Sequence, residues 1–290
     1  MGGQGTIQAG RACGAMIDAL CGEVLSVEIH SQFQNAINLK TSLGLITLLA
    51  PGRCLQPYSM VLQESMEQLS LEPSALALGP GGLWSDGALA VDFASAPKVD
   101  LLLRAGPTPP LSAARSLRRF LACAPGDGLS PLALNRVEGP FATLLVPRLE
   151  VLRRAVRAGD STAALAAARR VAGCGPGLTP SSDDLLCGYL SQLPRSSQWA
   201  DLTAGLARAA AEETNDISAA LLLRAGDGLY SEDVLALIAC LRHGRDGQEL
   251  TACLLRVARF GSSSGYDFLT GVYFGILDAC AIGGIHIGQT

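Results

Sequence analysis

A chain of 290 residues with 49% hydrophobic and 17% charged side chains can bury one large globular domain or two modest ones, which excludes a disordered protein. The net charge of -4 at pH 7 argues against a nucleic-acid partner, because such proteins carry a basic surface. The nine cysteines form no Cys-x-x-Cys pair and the three histidines are scattered, so we predict reduced thiols in a cytoplasmic protein without a zinc site.

The first third of the chain predicts β-strands. Short apolar or alternating runs form an antiparallel meander and then two further strands, at Val24–His30, Phe33–Leu39, Leu43–Leu49, Ala88–Phe93 and Val99–Leu103. Residues 59–69 predict a short helix, and residues 79–82 predict a turn. A Gly- and Pro-rich segment at residues 105–110 ends the pattern, so we place a β-rich N-terminal domain at residues 1–110.

The remainder predicts helices, because its apolar residues recur three and four positions apart. The expected helices are residues 111–123, 141–158, 161–171, 181–192, 199–212, 216–225, 231–243, 247–259 and 265–280. The most apolar window, residues 268–288, contains Asp278 and several glycines, which favours a buried helix over a membrane span. The predicted fold class is therefore α+β, with a helical domain at residues 111–290.

One sequence pattern occurs twice in the helical domain, each time after a Gly-rich or Ser-rich loop. The two copies are Ser181-x-x-Asp184-x-Leu186-x-Gly188 and Ser264-x-x-Asp267-x-Leu269-x-Gly271. Their spacing suits helix capping, with Ser181 as N-cap and Asp184 reaching back to it. A cap needs neither the adjacent Asp183 nor the preceding Gly-Pro-Gly, so we also predict that the two loops face each other across one site.

Two further polar clusters allow either a structural or a functional interpretation. Thr214–Ser218 precedes an apolar run, so Thr214 or Asn215 can cap a helix that has Ser218 in its first turn. Asn35 and Asn38 lie in a strand-like segment where asparagine is unfavourable, which indicates a turn, a bulge, a sheet edge or a ligand.

The paired loops indicate a particular class of ligand. A helix start can receive a carboxylate or a phosphate, but the carboxylates of Asp183 and Asp184 repel an anion unless a cation or a donor-rich group intervenes. A ligand with both an amide and a carboxylate fits this requirement, and so does an anion bound through Mg²⁺. No Gly-Lys-Ser/Thr follows the loop, so it is not a P-loop.

These clusters together resemble a bacterial family, the AllH-type subunit of oxamate carbamoyltransferase. The resemblance covers roughly residues 24–282 and rests on Gly175–Asp184, Thr214–Ser218 and Ser263–Gly271, with a weaker match from His30 to Asn38. One position departs from the family pattern, because Ser182 stands where the family has glycine. A side chain there could narrow the loop and alter which ligand it prefers.

The resemblance implies a transferase of purine or allantoin catabolism that converts oxalurate and phosphate into oxamate and carbamoyl phosphate, beside other protein subunits. It implies catalytic roles for Asp183, Asp184 and Asp267, with an Asp183 or Asp184 carboxylate accepting the amide protons of the substrate. The implied substrate-binding residues are Gly177, Thr179, Ser181, Thr214, Asn215, Ser218, Ser263, Ser264, Asn35 and Asn38. No cofactor is certain.

Two alternatives stay open at this point. The chain could be a non-catalytic scaffold or ligand-sensing subunit of such a complex, because its apolar composition allows a large subunit contact. It could also be an independent small-molecule enzyme that binds Mg²⁺ at Asp183, Asp184 and Asp267.

Overall fold

The computed structural model describes residues 6–20, 22–125, 128–244 and 247–287, and it shows a β-rich part followed by helices. This confirms the predicted α+β class. One compact unit contains the chain up to Leu102 together with Tyr230–Glu232, and the other contains Leu103–Leu229 and the residues from Asp233 onward. The predicted domains at residues 1–110 and 111–290 stay a prediction, because a domain must also fold by itself.

The first unit is a nine-stranded sheet with one short helix. Its elements are β1 (Ile7–Cys13), α1 (Gly14–Ala19), β2 (Leu25–Phe33), β3 (Ala36–Thr41), β4 (Gly44–Leu49), β5 (Ser59–Leu62), β6 (Leu76–Gly79), β7 (Gly82–Ser85), β8 (Ala88–Asp92) and β9 (Lys98–Val99). The order across the sheet is β5-β4-β3-β2-β6-β7-β8-β1-β9, and β1 also pairs with β5, so the sheet closes on itself. Along β2, buried Leu25 and Val27 alternate with exposed Ser26 and Glu28, which is the period of a strand with one buried face.

The predicted meander is confirmed, because β2, β3 and β4 pair antiparallel in chain order. The structure places one boundary differently. Phe33 ends β2, and a turn at residues 34–35 separates it from β3, so the predicted strand Phe33–Leu39 is two pieces. The amide-rich sequence there marks a hairpin turn, which asparagine favours.

The helix predicted at residues 59–69 is wrong. Residues Ser59–Leu62 form β5, which is buried throughout and lies between parallel β4 and antiparallel β1. Only Met66–Gln68 are helical, as a single 3₁₀ turn. A short apolar run does not distinguish a buried strand from a helix, and here the pairing partners are more than ten residues away in the chain.

The second unit is helical, as predicted. Its α-helices are α2 (Leu111–Leu121), α3 (Gly139–Ala158), α4 (Ser161–Val171), α5 (Ser181–Leu190), α6 (Ser197–Ala211), α7 (Asp216–Gly226), α8 (Glu232–Arg242), α9 (Gly247–Ala258) and α10 (Ser264–Ile287), and a 3₁₀ helix spans Ser130–Leu134. All ten residues of α5 are buried, so this helix is the centre of the unit. None of the described helices is long and apolar enough to cross a membrane.

Helices α5 and α10 pack through the glycines that end the two copies of the repeated pattern. A Cβ atom at Gly188 would overlap the backbone carbonyl of Phe268, and one at Gly271 would overlap the backbone carbonyl of Leu185. Leu185 and Phe268 are themselves equivalent positions of the pattern. The two helices therefore touch backbone to backbone through an approximately symmetric contact, which brings equivalent residues of α5 and α10 together.

A buried ion cluster ties α3 to the same two helices. Arg153 holds both carboxylate oxygens of Asp278 at 2.9 Å, through Nε and Nη2. Arg157 adds a bond of 2.7 Å, the Tyr189 hydroxyl donates at 3.0 Å, and the Arg153 guanidinium lies 4.5 Å from the centroid of the Phe274 ring. Two guanidinium groups and one hydroxyl thus hold the Asp278 carboxyl group inside the helical unit.

Candidate functional site

The first loop of the site, residues 173–180, closes tightly over the start of α5. Pro180 occupies the N-cap position and no side chain of the described residues caps the helix, so the predicted capping box of Ser181 and Asp184 is wrong. The amides of Ser182 and Asp183 instead donate to the carbonyls of Cys174 and Pro180, at 3.0 and 2.8 Å. These two backbone amides at the start of α5 are therefore already hydrogen-bonded within the protein and do not bind an anion.

Glycine makes this loop geometry possible. Gly175 has a φ of 133°, and a Cβ atom there would lie 2.5 Å from the Ser181 nitrogen. Gly177 has a φ of 97° but open space around its Cβ position, so its conformation rather than crowding requires glycine. Ser182 contributes as well, because its hydroxyl accepts from the Cys174 amide at 2.9 Å. Ser182, the residue that departs from the family pattern, therefore holds the loop against the start of α5 through this hydrogen bond.

Asp183 is held inside the protein. Its carboxylate accepts from the Gly173 amide at 2.8 Å and from the Thr214 hydroxyl, and the hydroxyls of Ser218 and Ser182 lie close. Burial raises the pKa of Asp183, and these donors oppose that rise. Asp183 thus joins the loop to the start of α7. Each of its two carboxylate oxygens accepts a hydrogen bond from the protein, so neither is left for a ligand.

The Thr214–Ser218 cluster serves the same loop. Asn215 caps α7, where its Oδ1 accepts from the Ile217 and Ser218 amides at 3.1 Å each. Its Nδ2 donates to the Leu178 carbonyl at 3.0 Å, so the cap also supports the loop. This confirms the helix-capping interpretation for Asn215, and the substrate-binding role of these residues stays a prediction.

Asp184 and Asp267 differ from Asp183 because each has a carboxylate oxygen left over. Asp184 is 9% exposed and Asp267 is fully buried. The Oδ2 atoms of both are buried and have no hydrogen-bond partner among the described residues. Since buried polar atoms are nearly always paired, two such atoms on equivalent positions of α5 and α10 point to a missing donor.

The second loop meets the first at this place. The Thr179 and Ser264 hydroxyls lie 2.9 Å apart, and the amide of Asp267 donates to the Ser263 carbonyl at 2.9 Å. Ser181 is buried, and a hydrogen bond from its hydroxyl to the Asp267 carboxyl group lowers the pKa of Asp267. The structure thus brings Thr179, Ser181, Ser263 and Ser264 together around the two carboxyl groups, with the two loops facing each other.

The electrostatics of the pair favour one bound proton. Burial raises the pKa of Asp184 to about 8; the Ser264 hydroxyl opposes the rise, while the negative charge of Asp267 adds to it. Burial also raises the pKa of Asp267, against the donors Leu129 N–H, Ser181 and Ser263. At neutral pH one carboxyl group of the pair is therefore neutral and can donate a hydrogen bond, while the other accepts.

Sequence reasoning missed the segment that covers Asp267. The Leu129 amide donates to Asp267 Oδ1 at 2.6 Å, and a Cβ atom at Gly128 would lie 2.6 Å from the same oxygen. Any residue type can supply a backbone amide, so the sequence gives no sign of this donor except the glycine at position 128, where a side chain would not fit.

Cys187, one turn after Asp183, is also nearby, but burial and the two aspartates raise the pKa of its thiol well above its usual range.

Asn35 and Asn38 belong to the first unit. Asn35 lies in the β2–β3 turn, where its carbonyl accepts from the Ala50 amide at 3.0 Å. Asn38 donates to the Ser31 hydroxyl at 3.0 Å and accepts from the Thr47 hydroxyl at 2.8 Å, across strands on both sides. Each has a structural partner in the sheet, and their contact with substrate stays a prediction.

The described side chains offer few ligands for a metal ion. Among the described residues, no group of three or more His, Cys, Asp or Glu side chains is arranged to hold a metal ion. The carboxylate of Asp183 is directed to Gly173 and Thr214, which separates it from the Asp184–Asp267 pair. The donor set for Mg²⁺ is thus two carboxyl groups and neighbouring hydroxyls, fewer charges than the three aspartates expected from the sequence.

The fold and this geometry define an α+β protein with a buried, carboxyl-lined candidate site where two helices start. A family model described as oxamate carbamoyltransferase subunit AllH matches residues 171–276, and a model of the AllH family N-terminal domain matches residues 8–98. The chain therefore belongs to the AllH family, as its motifs predicted. No curated protein and no solved structure matches the chain.

Proposed function

We propose that this chain is the substrate-binding subunit of an oxamate carbamoyltransferase, and that the substrate lies between Asp184 and Asp267. The observation that carries the proposal is the pair of buried Oδ2 atoms that find no donor in the described part of the chain, at two helix starts that meet. Leaving such atoms unpaired costs about 1–3 kcal/mol each, which a ligand with N–H donors would recover. The family description supports the enzyme class.

The proposed ligands carry the groups that this site lacks. Oxamate and oxalurate each have amide N–H donors and a carboxylate. The ionised carboxyl group of the pair accepts from the amide, while the neutral one and the Thr179 and Ser264 hydroxyls donate to anionic oxygens. The proton on the pair reduces the charge repulsion that two carboxylates would exert on an anion, so Mg²⁺ is not required for binding.

The chemical step uses the same proton. An oxygen of phosphate attacks the carbamoyl carbon of oxalurate, and the bond from that carbon to the oxamate nitrogen breaks. The nitrogen takes the proton of the neutral carboxyl group, and the proton of the hydrogen phosphate ion restores that carboxyl group, which yields oxamate and carbamoyl phosphate. In the reverse direction the carboxylate takes this proton back from the attacking amide. Positioning and charge stabilisation of this kind need no covalent nucleophile.

The proposed setting is purine or allantoin catabolism in the cytoplasm of a bacterium, in complex with other subunits. Membership of the AllH family supports the partner subunits, since the family description itself names a subunit of an enzyme. Exposed Leu144 and Val151 lie seven residues apart on α3, with 54% and 48% of their surfaces exposed. Exposed Pro147 lies between them at helical spacing, and an apolar strip of these three residues supports a subunit contact.

We expect Asp184→Asn to abolish stabilisation by substrate. The purified chain is mixed in turn with oxamate, oxalurate, carbamoyl phosphate, phosphate and Mg²⁺, and its thermal unfolding is recorded. A ligand at one hundred times its dissociation constant should stabilise the wild-type chain by about 2.7 kcal/mol. An asparagine side chain places an NH2 group at the position of the unpartnered Asp184 Oδ2, where it meets the amide N–H of the ligand donor to donor, so the shift with oxamate or oxalurate should disappear.

Asp201→Asn is the matched control, because Asp201 is an exposed carboxylate on α6. It should keep the full ligand shift. If oxamate and oxalurate shift the wild type and Asp184→Asn equally, the substrate does not lie at this pair. A shift with Mg²⁺ alone that is lost in Asp184→Asn would favour the metal-dependent enzyme instead.

The exposed strip on α3 also favours a second candidate function, a non-catalytic scaffold subunit. The two functions predict different effects of substitutions on the activity and the assembly of the complex. With the other subunits present, Asp184→Asn should stop carbamoyl transfer if this chain holds the substrate. A complex that keeps full activity with Asp184→Asn, but fails to assemble with Leu144→Asp, would establish the scaffold.

A further inference from the structure

Outside the candidate site, helices α8 and α9 line a cavity of about 330 Å³ whose wall contains two thiols. The Sγ atoms of Cys240 and Cys253 lie 3.4 Å apart, and both residues are buried. Only four residues separate Arg242, the end of α8, from Gly247, the start of α9. Cys240 lies on α8 and Cys253 lies on α9, so the two sulfur atoms meet where these helices face each other.

The surroundings of the two sulfur atoms differ. Arg256 donates from Nη2 to the Cys253 sulfur at 3.2 Å, and its Nε is held by Asp233 at 2.8 Å. The Cys240 thiol donates to Glu249 Oε1 at 3.9 Å. A guanidinium that donates to sulfur stabilises the anionic form, which is the nucleophile in thiol chemistry, whereas a carboxylate can accept the proton of the second thiol.

We propose that Cys240 and Cys253 form a reversible dithiol–disulfide pair that is oxidised by small-molecule disulfides entering the cavity. The Cys253 thiolate attacks one sulfur of the oxidant, the oxidant's S–S bond breaks, and one thiolate leaves. Cys240 then attacks the Cys253 sulfur, gives its proton to Glu249 and releases the second thiolate. Glu249 passes this proton to the second released thiolate, and the first released thiolate takes up the proton that Cys253 gave to solvent. In total the protein loses two hydrogen atoms, and the oxidant is reduced to two thiols.

The geometry leaves little movement to complete. The two sulfur atoms lie 3.4 Å apart. A disulfide has an S–S length of about 2.05 Å, so they must approach each other by about 1.4 Å. Rotation about the Cα–Cβ bonds moves the sulfur atoms, and the cavity beside them leaves room for such a shift.

Peptide mapping of the full-length chain tests this proposal. The reduced chain is incubated with oxidised glutathione, free thiols are alkylated, and unreduced tryptic peptides are measured by mass spectrometry. Trypsin cuts after Arg242 and Arg245, so the two cysteines fall in separate peptides. We expect these peptides to be joined, with the mass of two hydrogen atoms missing, and to separate again with dithiothreitol.

Cys123 is the internal control, because it is exposed and should form only a mixed disulfide with glutathione. If Cys123 is modified while Cys240 and Cys253 are both alkylated, the proposal is overturned.

Cys240→Ser should stop the reaction at a glutathione adduct on Cys253. If Cys253 carries no glutathione adduct in this variant, the proposed order of attack is wrong. Arg256→Gln should slow disulfide formation roughly threefold or more, and Arg256→Lys should keep most of the rate. An unchanged rate in Arg256→Gln would contradict the role of Arg256.

Discussion

Gly188→Ala and Gly271→Ala are each expected to lower the free energy of unfolding by about 3 kcal/mol, near the upper end of typical overpacking effects. A Cβ atom at either position overlaps a backbone carbonyl of the facing helix, and backbone cannot turn aside as a side chain can. Helices α5 and α10 would have to separate, although alanine is the better helix former. Urea unfolding followed by circular dichroism measures the loss.

The same helix offers a control of opposite sign. Gly283 also lies in α10, but a Cβ atom there would meet nothing within 4 Å. Gly283→Ala should therefore stabilise the chain by up to about 1 kcal/mol, through helix propensity alone. Gly271→Ala and Gly283→Ala with equal stabilities would rule out the backbone contact between α5 and α10.

Stability is expected to fall as the pH rises from 5 to 8. Asp184 in the folded chain has a pKa of about 8, above the ordinary value of 3.8 that applies after unfolding. A raised pKa stabilises the fold fully below the unfolded value, and this contribution is lost as the pH rises through the folded value. The slope is about 1.4 kcal/mol per pH unit for one proton, or about 4 kcal/mol across this range. The raised pKa values of Asp183 and Asp267 act in the same direction.

Urea unfolding at several pH values separates Asp184 from the other groups. Asp184→Asn removes its proton from the balance, so the dependence on pH should flatten and the variant should be at least as stable as the wild type at pH 8. Asp201→Asn should keep the wild-type slope. An identical slope in Asp184→Asn would show that Asp184 does not hold a proton in the folded chain at neutral pH.

The helices could be predicted well because their signals are local. Residues 247–259 show apolar residues at helical spacing between Gly-rich breaks, and α9 occupies nearly that range. The strands depended on distant partners. Ile7–Cys13 mixes glycine, alanine and arginine without clear alternation, yet it pairs with β5, β8 and β9, so only the closed sheet makes it a strand.

The site shows the same limit. The repeated pattern predicted two facing loops, which the Thr179–Ser264 contact now joins. The sequence could not distinguish Asp183 from Asp184, because adjacent aspartates look alike until one of them meets Thr214 and the other does not. Nor could it indicate the Leu129 amide, which reaches Asp267 across 138 positions of the chain.

The approximate symmetry of α5 and α10 has a consequence for how a ligand enters. The helix contact presents two similar halves, so shape alone would admit a small ligand in either direction. The halves differ in their hydrogen-bond donors, because the Leu129 amide donates to Asp267 while the Thr179 and Ser264 hydroxyls lie beside Asp184. Under the proposed function, this difference in donors fixes which helix start receives the amide end of the ligand and which receives its carboxylate.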